Sequence, residues 1–115
     1  MQLVHSEVAT ICTGQAASMA AVLLAAGKKG KRSALPHARV MIHQPVGGVE
    51  GPAADMAIAV KEILELQNQL YQILAEQTGK TLEQIQKDAD RDFWMRAADA
   101  VSYGIIDEVL RKAKK

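Results

Sequence analysis

A serine hydroxyl is a weak nucleophile until a neighbouring base takes its proton, and the oxyanion formed on attack needs a donor aimed at it. Ser18, in TGQAASM, is placed where both needs can be met. It follows a short apolar run and Gly14 and precedes a stretch rich in Ala and Leu. At such a strand–turn–helix junction the backbone N–H of the next residue, Met19, can face an oxyanion, and the helix dipole favours negative charge there. The same position suits a helix-capping serine, and local sequence by itself favours that plainer role. His43 ends the apolar segment RVMIH just before Gln44 and Pro45, so it is expected at a strand end. His37 lies in a proline-led turn and His5 near the start of the chain. The histidines lack the Cys or carboxylate spacing of a metal site, and no cofactor is expected. Asp88, Asp90 and Asp92 cluster with Lys87 and Arg91. Such clusters are usually solvated, and spacing alone does not choose an orienting carboxylate among them.

The elements that would position these groups can be read from the pattern. Val8 to Cys12, short and apolar, predicts a buried strand, and Arg39 to His43 a second one. Ala16 to Ala26 predicts a helix with Gly27 at its C-terminal cap, and Lys28 to Ser33 a polar loop. From Ala53 to Thr78, Met56, Val60, Ile63, Leu66, Leu70, Ile73 and Leu74 recur at helical spacing, with charged and amide residues between them. That helix would run about 39 Å, longer than a compact domain of this size is wide, so it is expected to project and to pack on something else. Thr81 with Gln84 matches a capping box opening a further helix to about Ala89. Ala97 to Tyr103 reads as a short helix stopped by Gly104, and Ile105 to Leu110 as a closing strand.

Composition narrows the function. The 115 residues, 49% hydrophobic, suffice for one domain with one core. Fourteen basic residues against thirteen acidic ones leave a net charge of +1, so neither a nucleic-acid nor a membrane partner is expected. The basic runs Lys28 to Arg32 and Arg111 to Lys115 read as a solvated loop and tail. The lone Cys12 sits in an apolar run, which suits a small buried hydrophobe in a reducing, cytoplasmic compartment. Met1 to Ser6 has no leader pattern, and Ala16 to Ala26 is too short to span a bilayer.

Three segments carry a resemblance. GQAASMAAVLLAAGKKGKR resembles the active-serine segment of the Clp protease proteolytic subunit family. LPHARVMIHQPVGG is similar to its active-histidine segment, and DADRDFWMRAADAVSYGIIDEVL to its active-aspartate segment and C-terminal strand. They occur in family order. The resemblance implies an α/β, ClpP/crotonase-like fold over residues 1–115, N-terminally truncated, with the long helix as a projecting handle. It implies a serine endopeptidase with Ser18 as nucleophile, His43 as base, Asp92 orienting the imidazole and Met19 donating to the oxyanion. Pro45, Gly47 and Gly48 would lie beside an extended polypeptide substrate. Asp90 and Arg91 would join a ring-to-ring network of a homo-oligomer of stacked rings. Leu3 and Leu110 would belong to a pocket that docks an AAA+ unfoldase ATPase.

The chain departs from that family in places. The match starts part-way into it, with no Gly-Gly pair before Ser18 to complete the oxyanion hole. Glu50 and Pro52 stand where glutamines are usual, and Arg96 where a capping serine is common. A non-catalytic or assembly-only fragment is therefore the leading alternative. An acyl-CoA enzyme of the crotonase type on the same fold is a weaker one, since such enzymes do not need this triad.

Overall fold

The computed structural model describes residues 1–43 and 53–111. Pro45, Gly47, Gly48, Glu50 and Pro52 lie outside the described residues. Two three-stranded sheets carry the fold. In the first, β1 (Thr10–Cys12), β3 (Arg32–Ala34) and β6 (Glu108–Val109) run parallel with β3 in the centre. In the second, β4 (Arg39–Ile42) is central, parallel to β2 (Gln15–Ala17) and antiparallel to β5 (Phe93–Arg96). Helix α1 (Met19–Ala25) packs on β1 and β2, and α4 (Ala97–Tyr103) on β5 and β6. Helix α2 (Ala53–Thr78) touches α1 and α3 (Leu82–Asp88). Val40, Ile42, Ile85, Ile105 and Ile106 are the largest fully buried side chains, joining both sheets and α3 in one core.

Several expected elements differ. Ala16 and Ala17 form β2 and not the start of a helix, because their backbone pairs with Val40 and Met41. Three parallel pairings between the two strands outweigh the small intrinsic helix preference of alanine. Gly27 is not a left-handed cap. Its φ is unexceptional, and a Cβ there would stand 2.6 Å from Thr10 Oγ1, so it serves a close approach of α1's end to β1. The basic run at 28–32 is not wholly a solvated loop: Arg32 is 3% exposed and sits in the central strand. The closing strand is only two residues long, because Ile105 and Ile106 turn into the core first. The strand β5 was not expected, although FWMR has the aromatic content that suits one.

Other expectations hold at residue resolution. Helix α2 covers Ala53–Thr78. Thr81 Oγ1 accepts from the Gln84 N–H at 3.1 Å and opens α3. Only the far end of α2 is built into the core, through Tyr71 and Leu74. Its earlier turns expose Ile58, Leu64 and Leu66, and the molecule measures 64 × 31 × 24 Å.

Gly104 ends α4 with φ 101°, where its N–H reaches Ala100 O and Val101 O, both at 3.1 Å. A Cβ would meet the Thr78 carbonyl at 2.5 Å. Gly104→Ala adds a left-handed backbone penalty of about 1–2 kcal/mol to that collision. It is expected to lower unfolding free energy by at least about 2 kcal/mol in urea titrations. Gly14→Ala, with open space around it and an ordinary φ, is the control and should shift stability by under about 1 kcal/mol.

Candidate active site

Ser18 links β2 to α1 with φ 58° and ψ −120°, the one non-glycine residue with positive φ among the described residues. Strain of this size persists only where the surroundings fix it. Here the Ser18 N–H donates to Met41 O at 3.1 Å, extending the β2–β4 ladder by one bond. Its carbonyl accepts from Ala21 and Val22 at 3.1 and 3.3 Å, starting α1. The side chain makes no capping hydrogen bond. Its Oγ instead meets His43 Nε2, so the capping role that local sequence favoured is not the one adopted. The intrahelical bonds begin at Ala21, which leaves the Met19 N–H ahead of them at the first turn, beside the Ser18 hydroxyl.

His43 follows β4 directly. In the antiparallel register of β4 and β5, Ile42 pairs with Phe93. One step further, the same register sets His43 across from Asp92. Asp92 is exposed, and no hydrogen bond or ion pair joins it to His43 among the described residues. The structure thus brings Ser18 and His43 into contact and places Asp92 at the adjacent register position.

An apolar cavity of about 100 Å³ opens beside this pair. Val22 and Ile42 form its floor, and Leu66, Leu70, Tyr71 and Leu74 of α2 form its wall. The Tyr71 hydroxyl accepts from Gln67 Nε2 at 3.2 Å. Burial pushes its pKa up, and the Asp90 charge pushes the same way, so the phenol stays neutral. Sequence reading had α2 as an assembly element and missed this wall. The signal available was the pairing of Leu70, Tyr71 and Leu74 on one side of the last turns.

The remaining candidates sit elsewhere. Asp90 and Arg91 are exposed in the turn between α3 and β5. Leu3 is 98% exposed in the bend before β1, and Leu110 is half-buried after β6, where its N–H reaches Ala34 O at 2.8 Å. Cys12 is buried and burial raises its thiol pKa, which makes it a poor nucleophile.

The chain is similar to known proteins over almost all of its length. The family model described as Clp protease matches residues 1–113. Over its whole length the chain is 58% identical to the ATP-dependent Clp protease proteolytic subunit of Porphyromonas gingivalis, and covers 52% of that protein. The corresponding subunit of Bacteroides fragilis is 59% identical over 97% of the chain, which covers 54% of it. Proteolytic subunit 1 of Gloeobacter violaceus is 57% identical over 96% of the chain, which covers 56% of it. The chain therefore spans about half the length of the curated relatives it matches. With a family match over almost every residue and a serine turned out of its capping role onto a histidine, the chain belongs to the Clp protease family.

Proposed function

We propose that the chain is a serine-type endopeptidase subunit that cleaves peptide bonds in unfolded polypeptides. The observation that carries this reading is the contact of Ser18 Oγ with His43 Nε2 at a strained strand–helix junction. Ser18 Oγ attacks the peptide carbonyl carbon while His43 takes its proton. The Met19 N–H donates to the oxyanion. Collapse of the tetrahedral species breaks the C–N bond, and His43 returns the proton to the leaving amine. Water then attacks the acyl-serine through the same base and restores the hydroxyl. Asp92 orients the imidazole and stabilises its charged form once substrate is bound. The cavity walled by α2 takes an apolar side chain of the residue whose carbonyl is attacked. Pro45, Gly47 and Gly48 pair main chain to main chain with the extended substrate, which suits broad specificity.

The exposed turns of α2 support self-association, with Asp90 and Arg91 completing a network between stacked rings. Leu3 and Leu110 contribute to docking of an AAA+ unfoldase ATPase, which delivers the unfolded chain. A cytoplasmic setting suits the single buried thiol. No helix among the described residues is long and apolar enough to cross a membrane.

A fluorophosphonate probe tests the reading directly, since it reacts only with an activated serine. Labelling is expected at Ser18 by peptide mass mapping, absent in Ser18→Ala, and slowed at least about 10²-fold in His43→Ala. A folded chain that labels at another serine, or labels equally well without His43, overturns it.

A further inference from the structure

The second sheet has an outward face that none of the roles above uses. Side chains alternate along its strands, so Gln15, Arg39 and Arg96 form one row and Ala17, Met41 and Trp94 the next. Val40 and Met95, between them, point to the core and are buried. His43 and Asp92 follow at the next positions of the same alternation. The face therefore leads straight into the proposed catalytic row.

Two features of it ask for a ligand. Arg39 and Arg96 lie directly opposite each other on neighbouring antiparallel strands, and both are exposed. Like charges so placed repel, and neither guanidinium has an ion pair among the described residues. The Asp99 carboxylate is engaged with the Arg96 backbone N–H at 3.2 Å and not with its side chain. An anion seated between the two guanidinium groups would relieve the repulsion and gain charge-assisted hydrogen bonds, and the planar fork of arginine suits a carboxylate. The second feature is Trp94, 49% exposed one row nearer the catalytic pair. Its ring offers a flat apolar surface beside the cationic row, on which the stem of an acidic residue can lie.

We propose that this face is an extended subsite for the polypeptide substrate, with Trp94 supporting the bound chain and Arg39 and Arg96 holding its carboxylates about four residues from the scissile bond. The spacing follows from the four strand positions between Asp92 and Arg96, about 13 Å at the rise of a strand. The proposal rests on the peptidase reading. Charge complementarity and continuity with the catalytic row favour a polypeptide substrate over a second copy of this chain as the occupant.

Trp94 is the only tryptophan, so its fluorescence reports binding at the face itself. The Ser18→Ala chain, which cannot turn over substrate, is titrated with eleven-residue peptides built around one central leucine. One carries Glu-Glu at the fourth and fifth residues beyond the leucine on either side and an amidated end. A second has Gln-Gln there and an amidated end, and a third Gln-Gln and a free C-terminal carboxylate. At low salt the Glu peptide is expected to bind about ten-fold more tightly than the amidated Gln peptide and to perturb Trp94 emission. Tighter binding of the third peptide alone assigns the subsite to a chain end. The advantage should shrink with added salt, as for any exposed ionic contact. Arg39→Gln or Arg96→Gln should cut it to about two-fold or less, with thermal unfolding showing that each variant remains folded.

Equal affinity for all three peptides, binding of none of them, or a preference that survives both substitutions overturns the proposal. Loss of solution mass in the arginine variants, measured by sedimentation with no peptide preference in the parent, assigns the face to a second copy and also overturns it. Probe labelling of Ser18 in the unsubstituted chain separates the two readings. Labelling without carboxylate preference removes only the subsite, whereas carboxylate preference without labelling removes the peptidase reading and leaves the face as a carboxylate-binding surface without a substrate role.

Discussion

Replacing Ser18 by alanine is expected to abolish hydrolysis of apolar peptide esters and amides, a loss of about 10⁴–10⁶-fold in kcat. His43→Ala should lose nearly as much, because nucleophile and base act as one unit. The double variant should be no worse than either single one. Asp92→Asn is the more informative change. Asp92 makes no described contact with His43, yet the strand register sets the two across from each other. If Asp92 orients the imidazole in the substrate complex, Asn should favour the wrong tautomer and lower kcat by about 10³–10⁴-fold with KM little changed. An Asp92→Asn chain that keeps kcat within about two-fold would remove Asp92 from the triad. The Ser18 backbone offers an independent check on the strain. Ser18→Ala keeps φ near 58° costly and should leave stability almost unchanged. Ser18→Gly relieves it and should stabilise the fold by about 1 kcal/mol while equally inactive. A Ser18→Gly variant less stable than wild type would mean that the junction carries no strain.

The second large effect is on stability. The guanidinium of Arg32, buried in the centre of the first sheet, donates through Nε to Asp107 Oδ2 at 3.0 Å and through Nη2 to Oδ1 at 2.9 Å. Nη1 reaches the carbonyls of Ala25 and Gln77, both at 3.0 Å. One side chain thus ties the end of α1 and the last turns of α2 to β3 and to the approach to β6. Asp107 also accepts from the Arg32 and Gly30 N–H groups at 3.0 and 2.7 Å. Removing Asp107 leaves a buried cation without its counter-charge. Asp107→Ala is expected to cost about 3–5 kcal/mol in chemical denaturation, a large part of the total for a domain of this size.

The same contacts give a pH signature. Hydrogen bonds from the Arg32 side chain, then from the Arg32 and Gly30 backbone, hold the Asp107 carboxyl down to about 2. A carboxylate with a lowered folded pKa stabilises the fold above its unfolded value of about 4, and that contribution disappears as pH falls toward 2. Stability should therefore fall between about pH 5 and 2 in the native chain, and less steeply in Asp107→Asn. Equal slopes in the two would show that other carboxylates dominate acid unfolding.

The local sequence determined those features whose physics is local. The three- and four-residue recurrence of apolar side chains set the span of α2, because helical contacts repeat within the segment itself. Thr81 and Gly104 marked helix ends, since capping and left-handed backbone depend on one residue and its nearest neighbours. Ser18, His43 and Asp92 were picked out by the order of their segments, and no local rule joined them. Only the tertiary structure decided what depends on distant partners. Pairing with β4 drew Ala16 and Ala17 out of a helix, and the same ladder turned Ser18 toward His43, twenty-five residues away. A basic run that reads as solvated delivered Arg32 to the core because Asp107, seventy-five residues on, supplies the charge that makes burial tolerable. The opposition of Arg39 and Arg96 is likewise a matter of register, which no window of sequence contains. Propensity and periodicity act over a few residues, whereas strand pairing and charge burial are settled by whichever groups the folded chain brings within hydrogen-bond reach.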